Sequence, residues 1–165
     1  MKVQCVPSSV GASNNHPILA TYLINDIVAI DAGSLGLMSP LSAQRQVKHV
    51  FLSHSHLDHV ATLPVFIDNV YVPGPECPDV YAHAATFDSL RSDFFNDRIW
   101  PDMIRLSGEE SPFLRLNDLT EEQPVEVAGL RITPISLKHV VPTYGFLIEE
   151  IATKTAIMFV SYTSP

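Results

Sequence analysis

Three imidazoles and one carboxylate fall within six consecutive positions in the stretch Ser53-His54-Ser55-His56-Leu57-Asp58-His59. They follow the apolar run Val50-Phe51-Leu52, which reads as a short buried strand. Beside such a strand, each titratable group costs desolvation unless it is paired or metallated. Neutral imidazole nitrogen and carboxylate oxygen are the usual non-sulfur ligands of zinc-like ions. If His54 and His56 sit on the extended turn leaving the strand, they can fold to one side and grip a single cation. Asp58 and His59 would then open the following helix and face a second cation. The competing reading is a polar loop rich in histidine. It suits the lone His16 and His49 but not four spaced residues of ligand type.

The pattern His-x-His-x-Asp-His after a strand resembles the signature of the metallo-β-lactamase superfamily of metal-dependent hydrolases. The form His54-Ser55-His56-Leu57-Asp58-His59-Val60 is similar to its class II cyclic-nucleotide phosphodiesterase branch. The resemblance implies an α/β fold, an αββα sandwich of two sheets flanked by helices with the metals at one sheet edge. It implies two divalent ions, zinc in the first instance with manganese or iron as alternatives. Asp31, in Asp31-Ala32-Gly33, reads equally as turn chemistry or as a functional carboxylate on its own residues. Within the resemblance it orients the site from behind the ligands, as metal-bound histidines commonly need.

His139 stands between two apolar segments, Leu130–Leu137 and Val140–Ile148. A single histidine in that setting is more often structural. Two histidines do not complete a cation's shell, however, and a third closes three of four tetrahedral positions. The resemblance makes His139 the third ligand of the first metal. It also implies an Asp bridging both metals within a Ser-x-Thr motif after a later strand. Here the motif is Ser161-Tyr162-Thr163. A phenol with a pKa near about 10 and one oxygen is a poor substitute for a bridging carboxylate. The sequence ends at Pro165, ahead of the family's last histidine ligand. The expectation is a single domain over residues 1–165, truncated at its C-terminus, with the second half of the fold incomplete. Its first metal set is whole (His54, His56, His139), and its second has Asp58 and His59. An unclosed second half leaves an unpaired edge or an apolar face.

At 165 residues, 46% hydrophobic and 17% charged, the chain is long enough for one real core. Ten basic against eighteen acidic residues give a formal charge of −8, which argues against an extended nucleic-acid surface. A small phosphate substrate stays compatible, because bound cations supply local positive charge. Cys5 and Cys77 lack Cys-x-x-Cys spacing and read as buried free thiols in a reducing compartment. The first residues lack an apolar signal core and no apolar run approaches spanning length, so the expected setting is cytoplasmic, without membrane contact. A homo-oligomer is compatible with all of this.

Strands are expected over Lys2–Val6, Ile18–Ile24, Ile27–Ile30, Val80–Ala82, Phe113–Leu116, Val125–Val127 and Leu130–Ile135, with Asn25-Asp26 turning a hairpin. Residues 7–15 form a turn-rich loop. Helices are expected over Val60–Val70, with Pro64 near the first turn, and over Ala84–Phe95. The segment Asn96–Asp102, with Trp100 and Arg98, reads as a hydrophobic plug in preference to a lid over the metals.

The leading functional expectation is a phosphodiesterase that cleaves 3',5'-cyclic nucleotides by a metal-activated hydroxide, with Asp58 orienting the nucleophile. Metal-dependent hydrolysis rests on the motif, and the cyclic-nucleotide substrate on the resemblance alone. The alternatives are another ester, lactone, thioester or RNA end, or a non-catalytic metal-binding domain.

Overall fold

Strands buried on both faces need apolar residues at successive positions, not alternate ones. Val28-Ala29-Ile30 and Val50-Phe51-Leu52 meet that need, and in the computed structural model, which describes residues 1–8 and 19–161, all six are buried. Strands β1 (Val3–Cys5), β2 (Tyr22–Ile24), β3 (Val28–Ile30), β4 (His49–Phe51), β5 (Asp79–Ala82) and β6 (Arg115–Asp118) form one sheet in chain order. The first three are antiparallel, and β3 to β6 are parallel. Strands β7 (Val125–Val127), β8 (Leu130–Leu137), β9 (Thr143–Glu150) and β10 (Ala156–Phe159) form a second, antiparallel sheet.

The two-residue alternation of a strand divides each run between two cores. Val28, Ile30, Phe51 and Tyr81 meet Ile132, Phe146 and Ile148 of the second sheet. Ala29, Val50, Leu52 and Val80 turn the other way, against Leu63, Phe66, Phe87 and Leu90 of the helical layer. Phe51 anchors the inter-sheet core, stacked on Tyr81 at 4.4 Å and edge-on to Phe146 at 5.8 Å.

The helices are short: α1 (Leu41–Gln44), α2 (Leu57–Val60), α3 (Leu63–Val70), α4 (Ala84–Ser89) and α5 (Met103–Leu106). The α/β class and the sandwich are as expected. Among the described residues no helix lies in the β7–β10 stretch, where Met158 and Val160 stand about half exposed, at 47% and 51%. The order of layers is therefore helix, sheet, sheet.

Several local expectations shift. The single helix over Val60–Val70 is two pieces. Thr62 breaks it because its hydroxyl donates to the Ala32 carbonyl and accepts from the Gly36 amide, and Pro64 then sits in the first turn of α3. The strand expected over Phe113–Leu116 runs two residues later, where Leu119 N–H reaches the Ala82 carbonyl. The helix after Ala84 ends in a π-turn over Leu90–Phe94. Phe95 and Trp100 pack into the helix-side core, as a plug does. Neither cysteine is buried: Cys5 is exposed on edge strand β1, and Cys77 is half-buried. Asn25 and Asp26 take positive φ, 51° and 61°, as a tight hairpin turn demands. Residues 9–15 of the expected loop, His16, Ile18 of the expected second strand, and Tyr162 and Thr163 of the Ser-x-Thr motif lie outside the described residues.

Candidate metal centre

In a parallel sheet the strands end together, and the residues just past their carboxyl ends line a common edge. Here β3 delivers Asp31, β4 delivers Ser53 and His54, and β5 delivers His83 to that edge. The turn after β4 carries His56, and α2 carries Asp58 and His59. From the second sheet, the β8–β9 connection brings in His139.

The structure draws together every site residue expected from sequence. His54 Nε2 lies 3.1 Å from His56 Nδ1, and His139 Nε2 lies 3.3 Å from the same atom. One ring nitrogen from each of the three falls within 4.8 Å of the others, and His54 is fully buried. Three ring nitrogens this close can share one cation when each offers its lone pair. Zn–N distances of roughly 2.0–2.1 Å in tetrahedral geometry place ligand nitrogens about 3.3 Å apart, and the two spacings to His56 Nδ1 are close to that value.

Hydrogen bonds behind the rings set which nitrogens face inward. Asp31 is fully buried, with φ of 60°. Its Oδ1 accepts the Ser53 amide at 2.7 Å, and its Oδ2 accepts the Ser53 hydroxyl at 2.9 Å. Having given its proton to the carboxylate, Ser53 Oγ accepts from His54 Nδ1 at 2.9 Å. That leaves His54 Nε2 as the unprotonated, cluster-facing atom. The Asp31 carboxylate also takes the Nδ1 proton of His59 at 2.6 Å, which turns His59 Nε2 toward Asp58 Oδ2, 3.3 Å away. Asp31 thus orients His59 directly and His54 through Ser53, one histidine of each set.

The electrostatics separate the two sets. Burial, reinforced by the neighbouring rings of His59, His56 and His139, pushes His54 down to about 3, so it is a neutral donor at physiological pH. Burial also opposes charge on His59, but the hydrogen bond and charge of Asp31 and the charge of Asp58 outweigh it and raise its pKa. His54, His56 and His139 could therefore hold one cation, and Asp58 with His59 could contribute to another beside it. The rings of His54 and His59 are only 4.2 Å apart.

Two contributors carried no sequence signal of their own. Ser53 precedes the motif, but its link to Asp31 spans 22 residues. Tyr144, at the start of β9, ties the second sheet to the site by donating its amide to the Ser53 carbonyl at 2.9 Å.

A helix-backed β-sandwich with an imidazole cluster at one edge is the architecture of metallo-β-lactamase-fold hydrolases. The chain belongs to the β-lactamase superfamily: the family model for the β-lactamase superfamily domain matches residues 26–163. A probable 3',5'-cyclic-nucleotide phosphodiesterase of Yersinia pestis is 35% identical over 103 residues, 59% of this chain and 29% of that protein. Ribonuclease BN of Cronobacter sakazakii is 27% identical over 107 residues, 64% of this chain and 32% of that protein. Among solved structures, human tRNase Z, short form, superposes with a TM-score of 0.63 at 15% identity, covering 98% of this chain and 68% of its own. Unliganded yeast PDE1 gives 0.59 at 21% identity over 72% of this chain and 35% of its own. These structures share the fold. The chain spans about a third or less of the length of the curated relatives it matches. Among the described residues no helix is long and apolar enough to cross a membrane.

Proposed function

We propose that this chain carries the metal-holding part of a phosphodiesterase acting on 3',5'-cyclic nucleotides. The observation that carries the reading is the convergence of His54 Nε2, His56 Nδ1 and His139 Nε2 beside the Asp58–His59 pair. A divalent ion in such a donor set, zinc in the first instance, supplies a water of lowered pKa and polarises phosphoryl oxygen. The residues do the rest. His54, His56 and His139 would hold one cation through ring nitrogen, and Asp58 and His59 would hold a second, with Asp58 orienting the nucleophile. Asp31 orients the His59 ring directly through Nδ1 and the His54 ring through Ser53. The cyclic-nucleotide substrate is supported by the Yersinia pestis relative. A cytoplasmic setting is supported by two free thiols.

A second reading, RNA ends as substrate, is favoured by the relation to ribonuclease BN and opposed by the formal charge of −8. Hydrolysis of cyclic AMP, cyclic GMP and a short RNA by the chain with added Zn²⁺ or Mn²⁺, against His56→Ala, tests both. Metal-dependent cyclic-nucleotide turnover lost in His56→Ala is expected. Equal rates in wild type and variant would remove the phosphodiesterase reading. Native mass spectrometry adds the ion count, and one tight ion without turnover points to a metal-binding domain.

A further inference from the structure

His83 follows β5 at the same sheet edge as the metal cluster. Phe51 pairs with Tyr81 in the β4–β5 register, and Leu52 N–H bonds the Tyr81 carbonyl, which sets His83 beside Ser53, about one strand spacing of roughly 4.8 Å away. That side of the cluster is opposite to Asp58 and His59, which lie toward Asp31 at the end of β3. The His83 ring packs against Tyr144 with centroids 5.6 Å apart, and Tyr144 is the residue whose amide bonds Ser53.

The tautomer of the neutral ring follows from the backbone. His83 is the N-cap of α4, and its Nδ1 accepts the Ala85 amide at 3.0 Å. An Nδ1 that accepts leaves the proton of the neutral ring on Nε2. Among the described residues nothing in the protein accepts that proton, and the residue is only half-buried. A donor held in one tautomer, braced by an aromatic ring and left without a protein acceptor, is set up to meet an acceptor from outside.

We propose that His83 is a specificity-determining residue that donates Nε2–H to an acceptor on the nucleoside portion of the substrate. The inference rests on the phosphodiesterase reading. With the phosphoryl group against the cluster, a nucleoside lying along the sheet edge over β5 would meet His83.

The test is His83→Asn, which keeps a side-chain acceptor for the Ala85 amide, and so the cap, while removing the Nε2 donor. KM and kcat are measured on cyclic AMP and on bis(p-nitrophenyl) phosphate, a phosphodiester with neither ribose nor base. A rise in KM for cyclic AMP of about five- to tenfold is expected, the scale of one neutral hydrogen bond, with the aryl substrate unaffected. Separately, ¹⁵N NMR of the wild type is expected to show His83 protonated at Nε2 and that nitrogen shifting on addition of a non-hydrolysable cyclic AMP phosphorothioate. Wild-type turnover of cyclic AMP with an unchanged KM in His83→Asn overturns this inference alone, as does an equal change on both substrates. Absence of wild-type turnover overturns the phosphodiesterase reading and this inference with it.

Discussion

The Nδ1 of His59 lies 2.6 Å from Oδ2 of Asp31, although 28 residues separate them in the chain. One oxygen of the same carboxylate also receives the Ser53 hydroxyl, so a single buried group sets the orientation of two histidines. A site organised this way is sensitive to changes that leave every metal-facing residue in place.

Asp31→Asn tests that dependence. Asn tolerates the positive φ of position 31 better than most residues, so the backbone is largely spared. An amide group, however, turns an N–H toward one of the donors now bound by the carboxylate, either Ser53 or His59. Affinity for Zn²⁺ or Mn²⁺ is expected to fall about ten- to a hundredfold, the scale seen when such a supporting partner is lost. Calorimetric titration of the metal-free chain measures it, and unchanged affinity would show that Ser53 and His59 hold their orientation without the carboxylate.

Gly33 makes a backbone junction under the site. Its amide bonds the Ala20 carbonyl, the Ala20 amide bonds the Asp58 carbonyl, and a Cβ at position 33 would overlap that Asp58 oxygen. Gly33→Ala is expected to push α2 outward and to lower both stability and metal binding. Urea unfolding and metal titration of the variant check it, and a wild-type midpoint would mean that the turn can open without cost.

Phe51 is fully buried between the sheets and stacked on Tyr81. Phe51→Ala is expected to cost about 3–5 kcal/mol of unfolding free energy, the transfer and cavity cost of removing a core phenyl. Urea unfolding measures the loss, and one below about 1 kcal/mol would contradict the packing described here.

Glu150 joins the two sheets at their edge. It accepts from Thr153, from the Met1 amino group at 2.9 Å and from Asn25, and these bonds hold its pKa down to about 2 against burial. A carboxylate with a depressed folded pKa stabilises the fold above its unfolded pKa of 4.5, and that contribution is lost as pH falls toward 2. Glu150→Gln is therefore expected to lower the urea midpoint at pH 7 and to approach wild type near pH 2. A gap of equal size at both pH values would assign the effect to packing and not to charge.

Much of the site was legible because His54, His56, Asp58 and His59 are neighbours in the chain, and local geometry alone puts them on one turn and the helix behind it. The strands at Val28–Ile30 and Val50–Leu52 were legible for a related reason, since burial on both faces leaves an uninterrupted apolar run. The break of the helix at Thr62 was not, because its cause is bonding to Ala32 and Gly36, residues on another element. The strand near Arg115 shifted because its register is set by β5 and not by its own composition.

By itself, then, the sequence determined a cation-seeking cluster behind a buried strand, since the ligands and the strand are contiguous. Only the tertiary structure decided that His139, 83 residues from His56, closes the cluster, and that Asp31 fixes which nitrogens face it. It also decided that His83 stands at the end of β5 against Tyr144, on the same sheet edge. Those relations depend on which strand lies beside which, and strand pairing is settled by the burial of both cores together, which no local stretch of residues encodes.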